Sequence, residues 1–194
     1  MKDIDKKEFF RPVIVLSCIC FVATLALALT NFVSAPVIAA NTEKAAVATR
    51  KALLADADDF TSVTESLDLT SETGKATVTD VYMANNGAGA VFTVETGSFG
   101  GTLTMMVGID KDGEITGVEV TDHEDTPGVG TKNFVADYLG QYTGLTALNT
   151  QNVKKENVQT QSGAPFAFIS GASVTGTALH AGVYEALAKY AMLH

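Results

Sequence analysis

The stretch TLTMMVGIDKDGEITGVEVT, Thr102 to Thr121, decides the fold. Two apolar-rich runs, Thr102 to Ile109 and Ile115 to Thr121, flank Asp112-Gly113, a dipeptide that turns a chain tightly back on itself. The pair reads as an antiparallel hairpin. Upstream, the period is again two: Thr77, Thr79 and Val81 alternate with Val78, Asp80 and Tyr82 in a strand pattern from Ala76. Asn85-Asn86-Gly87 is a turn, and Ala90 to Thr96 a further strand. Gly97, Gly100 and Gly101 separate this strand from the hairpin, either as a loose loop or as bare backbone approached closely by something flat. Four strands in sequence with short connections describe one sheet.

Downstream, the pattern breaks into loops. His123-Glu124-Asp125-Thr126-Pro127-Gly128-Val129-Gly130 holds a Pro-Gly turn, in which Gly128 takes positive φ and Gly130 leaves the backbone bare. It is either a surface turn or a set of N–H groups suited to the edge of a planar ligand. Phe134 to Leu139 reads as a short helix with Tyr142 nearby, and Val153 to Thr160 as a weak strand. Pro165 to Ile169 is apolar and leads into Ile169-Ser170-Gly171-Ala172-Ser173-Val174-Thr175-Gly176, a small-residue, hydroxyl-rich loop. From Gly176 to Met192, Leu179, Val183, Leu187 and Tyr190 recur at helical spacing and define one buried face. A hydroxyl at the start of that helix can cap free N–H groups or hold a phosphate where those groups and the helix dipole favour an anion.

The N-terminal part has a different solvent. Met1 to Arg11 carries four basic and three acidic residues, and no charge appears from Pro12 to Thr42. Val13 to Leu29 is almost wholly apolar, and Phe32-Val33 and Val37-Ile38 extend it. About 20 residues suffice for a helix to cross the hydrocarbon core, and lipid offers backbone groups no partner outside the helix. The run is too long for the core of a cleaved signal peptide, and Val37-Ile38-Ala39-Ala40 is a poor cleavage site. Val15-Leu16-Ser17-Cys18 has too little apolar sequence before it for a lipoprotein box. Asn41-Thr42 reads as a helix cap with Glu43 in the first turn, opening a segment to about Ala57 that continues the membrane helix or stands above it as a stalk. Ser62 to Gly74 is polar and broken, a connecting loop.

The whole chain of 194 residues has a net charge of −9; the tail nets +1 and the apolar span is neutral, which leaves −10 from Glu43 onward. Such an acidic domain is a poor partner for nucleic acid. Both cysteines, Cys18 and Cys20, lie in the apolar run, and His123, His180 and His194 are scattered without metal-ligand spacing. No metal site and no catalytic residue is expected. The fold class is α+β: one transmembrane helix (residues 12–40) after a tail (1–11), a stalk and linker (41–74), and a domain with a mixed or antiparallel sheet and a C-terminal helix (75–194).

Three motifs in order behind a membrane helix resemble the FMN-binding subunits of ion-translocating membrane redox complexes. The nearest is the G subunit of Rnf complexes; the C subunit of the sodium-translocating quinone reductase is a longer relative. That family's V-G-I-D-x-x-G-x-I-x-G-V is present from Val107 to Val118, its H-x-E-T-P-G-L-G from His123 to Gly130, and its D-x-I-S-G-A-T-x-T from Ala167 to Thr175. The resemblance implies an extracytoplasmic FMN domain anchored in the cell membrane, with the N-terminus cytoplasmic and the other subunits of a redox complex as partners. It implies a phosphoester between FMN and the residue at the last Thr of S-G-A-T, which is Ser173 here, made by a flavin transferase from FAD. A primary hydroxyl can form the same bond. Ala167 replaces the Asp that opens the signature, which bears on recognition by the transferase, and Asp125 replaces Glu with shorter reach.

On this reading Ser170, Gly171, Ala172 and Thr175 surround the phosphate. Asp125, Thr126, Pro127, Gly128, Val129 and Gly130 lie along the isoalloxazine edge. Lys132 either stabilises negative charge on reduced flavin or is a solvated surface lysine. His123 orders its loop. The implied function is electron relay within an ion-translocating complex. The alternatives are a free-standing flavinylated carrier for extracellular electron transfer and a cofactor-free anchored adaptor or sensor.

Overall fold

The computed structural model describes residues 6–72, 74–155, 160, 163 and 165–193. The chain divides into two compact units, residues 1–47 and 48–194. A single helix, α1 (Lys6–Leu53), supplies nearly all of the first and the opening turns of the second.

Within the first unit the helix is apolar all round. Its apolar stretch is unburied, and Ile14, Leu16, Phe21, Leu27 and Phe32 are all exposed. A soluble helix would hide one face in a core; one exposed on every side is suited to lipid. Its two threonines at 24 and 30 are satisfied internally: Thr24 Oγ1 donates to the Cys20 carbonyl at 2.8 Å and Thr30 Oγ1 to the Ala26 carbonyl at 2.9 Å. Asn41 and Thr42 lie inside this helix, not at its start. With helix already formed upstream, their N–H groups have carbonyl partners one turn back, and no cap is needed.

The second unit is built on a five-stranded antiparallel sheet in simple meander order: β1 (Phe60–Ser62), β2 (Ala76–Ala84), β3 (Gly89–Gly97), β4 (Thr102–Asp110) and β5 (Ile115–His123). Asp112-Gly113 turns β4 into β5 as expected, with Gly113 at φ 83° and Gly113 N donating to Asp110 O at 3.1 Å. A bulge between Val78 and Asp80 shifts the buried face of β2 from Ala76 and Val78 to Val81. The central strands β3 and β4 are buried on both faces through Ala90–Phe92 and Met105–Ile109.

The C-terminal helix α3 (Ser173–Tyr190) lies against the sheet, with Leu179, Val183 and Ala186 in the core beside Phe92, Val94 and Met105. Gly182 lets the sheet approach: a Cβ there would stand 2.5 Å from Met105 Cε. Tyr190 Oη donates to the Asp110 carbonyl at 2.6 Å and ties the helix's far end to the end of β4. The end of α1 belongs to this unit. Leu53 and Leu54 are buried, the Arg50 guanidinium stands 3.5 Å over the Tyr82 ring, and Thr116 Oγ1 donates to the Leu53 carbonyl.

Several sequence expectations change here. The Ser62–Gly74 stretch is not wholly irregular: Ser62 closes β1, and Thr64–Ser66 forms a 3-10 turn. The short helix expected at 134–139 is a 3-10 turn, Gly130–Phe134, followed by α2 (Ala136–Leu139). The expected strand at 153–160 opens as a 3-10 turn, Val153–Lys155, and residues 156–159 lie outside the described residues. α3 starts at Ser173, three residues before the periodicity begins.

Candidate functional site

The glycine-rich turn 97–101, the 124–130 loop and the first turn of α3 converge on one buried carboxylate. Asp125 is 4% exposed. Its Oδ2 accepts from Ser98 Oγ at 2.5 Å and its Oδ1 from Gly100 N at 2.9 Å. Ser98 Oγ also lies 3.2 Å from Thr175 Oγ1, which can donate back to it. The backbone packs as closely as its glycines allow. A Cβ on Gly100 would fall 2.1 Å from the Glu124 carbonyl oxygen, and one on Gly130 would fall 2.7 Å from Asp125 Cγ and 2.8 Å from Thr175 Oγ1. At both positions close approach by neighbouring chain alone requires glycine.

Asn133, fully buried, clamps the two loops together. Its Nδ2 donates to the Gly130 carbonyl at 3.2 Å and to the Ala172 carbonyl at 2.9 Å. Thr126–Val129 is a β-turn closed by Val129 N donating to Thr126 O at 3.1 Å, with Gly128 at φ 76°. Gly128 N donates to Thr131 Oγ1 at 2.8 Å. Ile169–Ala172 turns in the same way, closed at 3.2 Å with Gly171 at φ 83°. Nearby, burial pushes the Tyr138 phenol up to about 12, an effect the Tyr142 hydroxyl offsets only in part.

Ser173 is half-buried at the start of α3 and opens into a cleft of about 390 Å³. Lys75, Thr96, Gly97, Asn152, Lys154, Val174 and Thr177 share its lining. Two lysines, three hydroxyl side chains and a carboxamide beside a helix start form a surface suited to an anion. A larger cleft, about 730 Å³, lies between residues 135–143 and 160–169 and reaches Ala167 and Ile169, but Ser173 is not in its wall.

The expected site residues therefore separate into three groups. Ser173 alone among them lines the lysine-bearing cleft. Asp125, Gly130, Ala172 and Thr175 are buried in the framework behind it; Thr175, at 1% exposure, is committed to the Ser98 contact instead of the cleft. Thr126, Pro127, Gly128, Val129, Lys132, Ser170 and Gly171 are exposed on the loops around it. His123 packs on Phe134 with ring centroids 4.8 Å apart and the rings tilted by 46°, which suits a loop-ordering role. The sequence reading missed Ser98, Asn133, Lys75 and Lys154. Ser98 sits in a run of glycines that flagged close packing, whereas the other three lie in stretches without a motif.

The FMN-binding domain family matches residues 98–188. Over 97% of its length the chain is 32% identical to the G subunit of the Na(+)-translocating ferredoxin:NAD(+) oxidoreductase complex of Acetobacterium woodii, 94% of which is covered. Over 96% of its length it is 26% identical to the G subunit of the proton-translocating ferredoxin:NAD(+) oxidoreductase complex of Clostridium ljungdahlii, again with 94% covered. The G subunit of an ion-translocating oxidoreductase complex of Stutzerimonas stutzeri is 31% identical over 60% of this chain and 51% of that protein.

Proposed function

The chain belongs to the family of FMN-binding G subunits of ion-translocating, Rnf-type oxidoreductase complexes, and from that premise we propose that it carries FMN covalently on Ser173 and relays electrons between redox centres of such a complex. It is a single-pass membrane protein of a flavin-binding family. The proposal adds the bond, the electron relay and the side of the membrane: the FMN domain faces outward and the N-terminal tail stays in the cytoplasm.

The observation that carries the reading is the position of the Ser173 hydroxyl in a cleft lined by Lys75 and Lys154. A phosphodiester on Ser173 Oγ keeps one negative charge, which the lysines offset, while Thr177 and Asn152 offer hydrogen bonds. The residues present fit the group. Attachment balances with FAD as donor: Ser173 Oγ attacks the phosphorus on the flavin side, the pyrophosphate bond breaks, AMP leaves, and the hydroxyl proton is released. A flavin transferase supplies the catalysis. Bound flavin supplies the redox chemistry; the protein supplies the tether, the charge around it, and the framework of Asp125 and Asn133 that holds the loops. Covalent retention suits a carrier outside the cytoplasm, where a lost cofactor is not readily replaced. Partner subunits would perform the ion movement, and the coupling ion is theirs to determine.

Intact mass of the purified full-length chain tests the bond. The wild type should carry the increment of one FMN phosphoester, and Ser173→Ala should lose it together with the fluorescent band on a denaturing gel. A band that survives Ser173→Ala would remove the attachment from this residue. Purification from native membranes should bring down multi-spanning subunits; a chain that emerges alone would favour a free-standing carrier.

A further inference from the structure

We propose that the outer edge of β5 over residues 117–120 is a docking groove for an extended, basic segment of a membrane subunit, which pairs there as a further strand of the sheet. This rests on the reading of the chain as one subunit of a membrane complex. The sheet's two edges are finished differently. β1 is three residues long, too short to template another strand. β5, at the other edge, runs for nine residues. Its first residue is paired outward by the chain itself: Ile115 N donates to the Leu145 carbonyl at 2.9 Å, and Gly144 N donates to the Ile115 carbonyl at 2.8 Å. Among the described residues, no backbone group from outside the sheet bonds to the edge over 117–120. The ladder between β4 and β5 is regular over that stretch, with an irregularity at either end of it. The edge is therefore open where it is best shaped to accept a strand.

The open edge is also recessed. A cleft of about 600 Å³ has residues 116–119 as its floor, Thr49 and Ala52 of α1 on one wall, and Ala136 and Leu139 of α2 on the other. The walls rise from opposite faces of the sheet. Leu53 covers Gly117, where a Cβ would stand 3.0 Å from Leu53 Cδ2, while Leu139 shares the core with Val118; consecutive residues of a strand point to opposite faces. A charge is enough to guard an edge against chance pairing. Walls on both faces add a slot that a single strand fills, with main-chain bonds for affinity and the walls receiving alternate side chains. Charge and position name the occupant. Among the described lining residues Glu119 alone is charged, and the exposed Asp122 and Glu124 continue the acidic run. Such an edge attracts a basic segment and repels a second copy of itself. Thr49 and Ala52 follow closely, in the same helix, on the charge-free run that ends at Thr42. That short connection brings the groove within reach of a loop from a membrane subunit.

The full-length chain is compared in two states: within the complex purified from native membranes in detergent, and alone in the same detergent. Hydrogen exchange is read by mass spectrometry on peptides spanning residues 116–122. Exchange of the fast amides over 117–120 should slow by about tenfold or more in the complex. Glu119→Lys should lose that protection and Glu119→Gln should weaken it, while Glu95→Lys, which alters an exposed carboxylate on β3, should keep it. Matching thermal melts of the isolated variants establish that each is folded. Equal exchange in the intact complex and in the isolated chain overturns the groove and leaves complex membership standing. Protection that survives both changes at Glu119 overturns the basic occupant. Protection in the isolated chain that rises with its concentration assigns the edge to a second copy and also overturns the proposal. A chain that leaves the membrane without other subunits removes the reading on which this rests, and the groove with it.

Discussion

Gly128 and Gly130 stand two residues apart in one loop and are required for different reasons. Gly128 has φ 76° and open space around the position of a Cβ. Alanine there meets only backbone strain, about 1–2 kcal/mol in the left-handed region. Gly130 needs no unusual torsion, but a methyl group would press on the buried Asp125 carboxylate and on Thr175. Overpacking of that kind costs roughly 1–3 kcal/mol, and it bears on the contact between the loop and the first turn of α3. Chemical denaturation should show Gly128→Ala and Gly130→Ala destabilised to a similar degree. FMN content by mass should separate them: near wild type for Gly128→Ala and clearly reduced for Gly130→Ala, since only the latter disturbs the frame behind Ser173. Equal FMN content in the two would detach the Asp125 node from cofactor loading. The role of Gly128 was legible in the sequence because Pro-Gly dictates a turn locally. That of Gly130 was not, because it depends on the burial of Asp125 against it, a packing contact that no local pattern encodes.

At the scale of elements, the hairpin from Thr102 to Thr121 and the helix carrying Leu179, Val183 and Leu187 were readable because their periodicity is imposed by one large core. β1 was not: three residues with no buried member acquire strand character only by pairing with Tyr82–Ala84. The early start of α3 was hidden by Val174 and Gly176, one exposed and the other a poor helix former. The short helix α2 carries the next prediction. It buries Tyr138, whose Oη finds no partner in hydrogen-bonding geometry among the described residues. The pKa of this phenol is raised in the fold to about 12 from its ordinary 10.0, because burial disfavours the phenolate. Its neutral form therefore contributes stability that is fully present below pH 10 and is lost as pH rises toward 12. Tyr138→Phe should change stability little at pH 7 and flatten the fall between pH 10 and 12 in urea-melting series. A variant as steep as the wild type over that window would place the alkaline sensitivity in another group.

At the scale of the whole molecule, a 48-residue α1 would extend about 70 Å at 1.5 Å per residue, against a hydrocarbon core of about 30 Å. The last stretch of that helix, Ala48–Leu53, about 9 Å, belongs to the second unit. The compact units divide between Val47 and Ala48, within the stretch that composition marks as stalk and linker, so Arg50, Leu53 and Leu54 are buried residues of the second unit. The sequence could not assign them, since helix-forming residues run without interruption from the apolar span to Leu54. Burying a leucine side chain is worth about 1.5–3 kcal/mol, and a desolvated guanidinium over an aromatic ring, as Arg50 is over Tyr82, about 2 kcal/mol. A fragment of residues 48–194 should therefore fold without the membrane segment and give one cooperative thermal transition by circular dichroism. A fragment of 55–194, lacking both leucines and Arg50, should be less stable by about 5–8 kcal/mol on those same terms, as much as many domains possess in total. Equal melting temperatures for the two fragments would show that the end of α1 is a tether and not part of the fold.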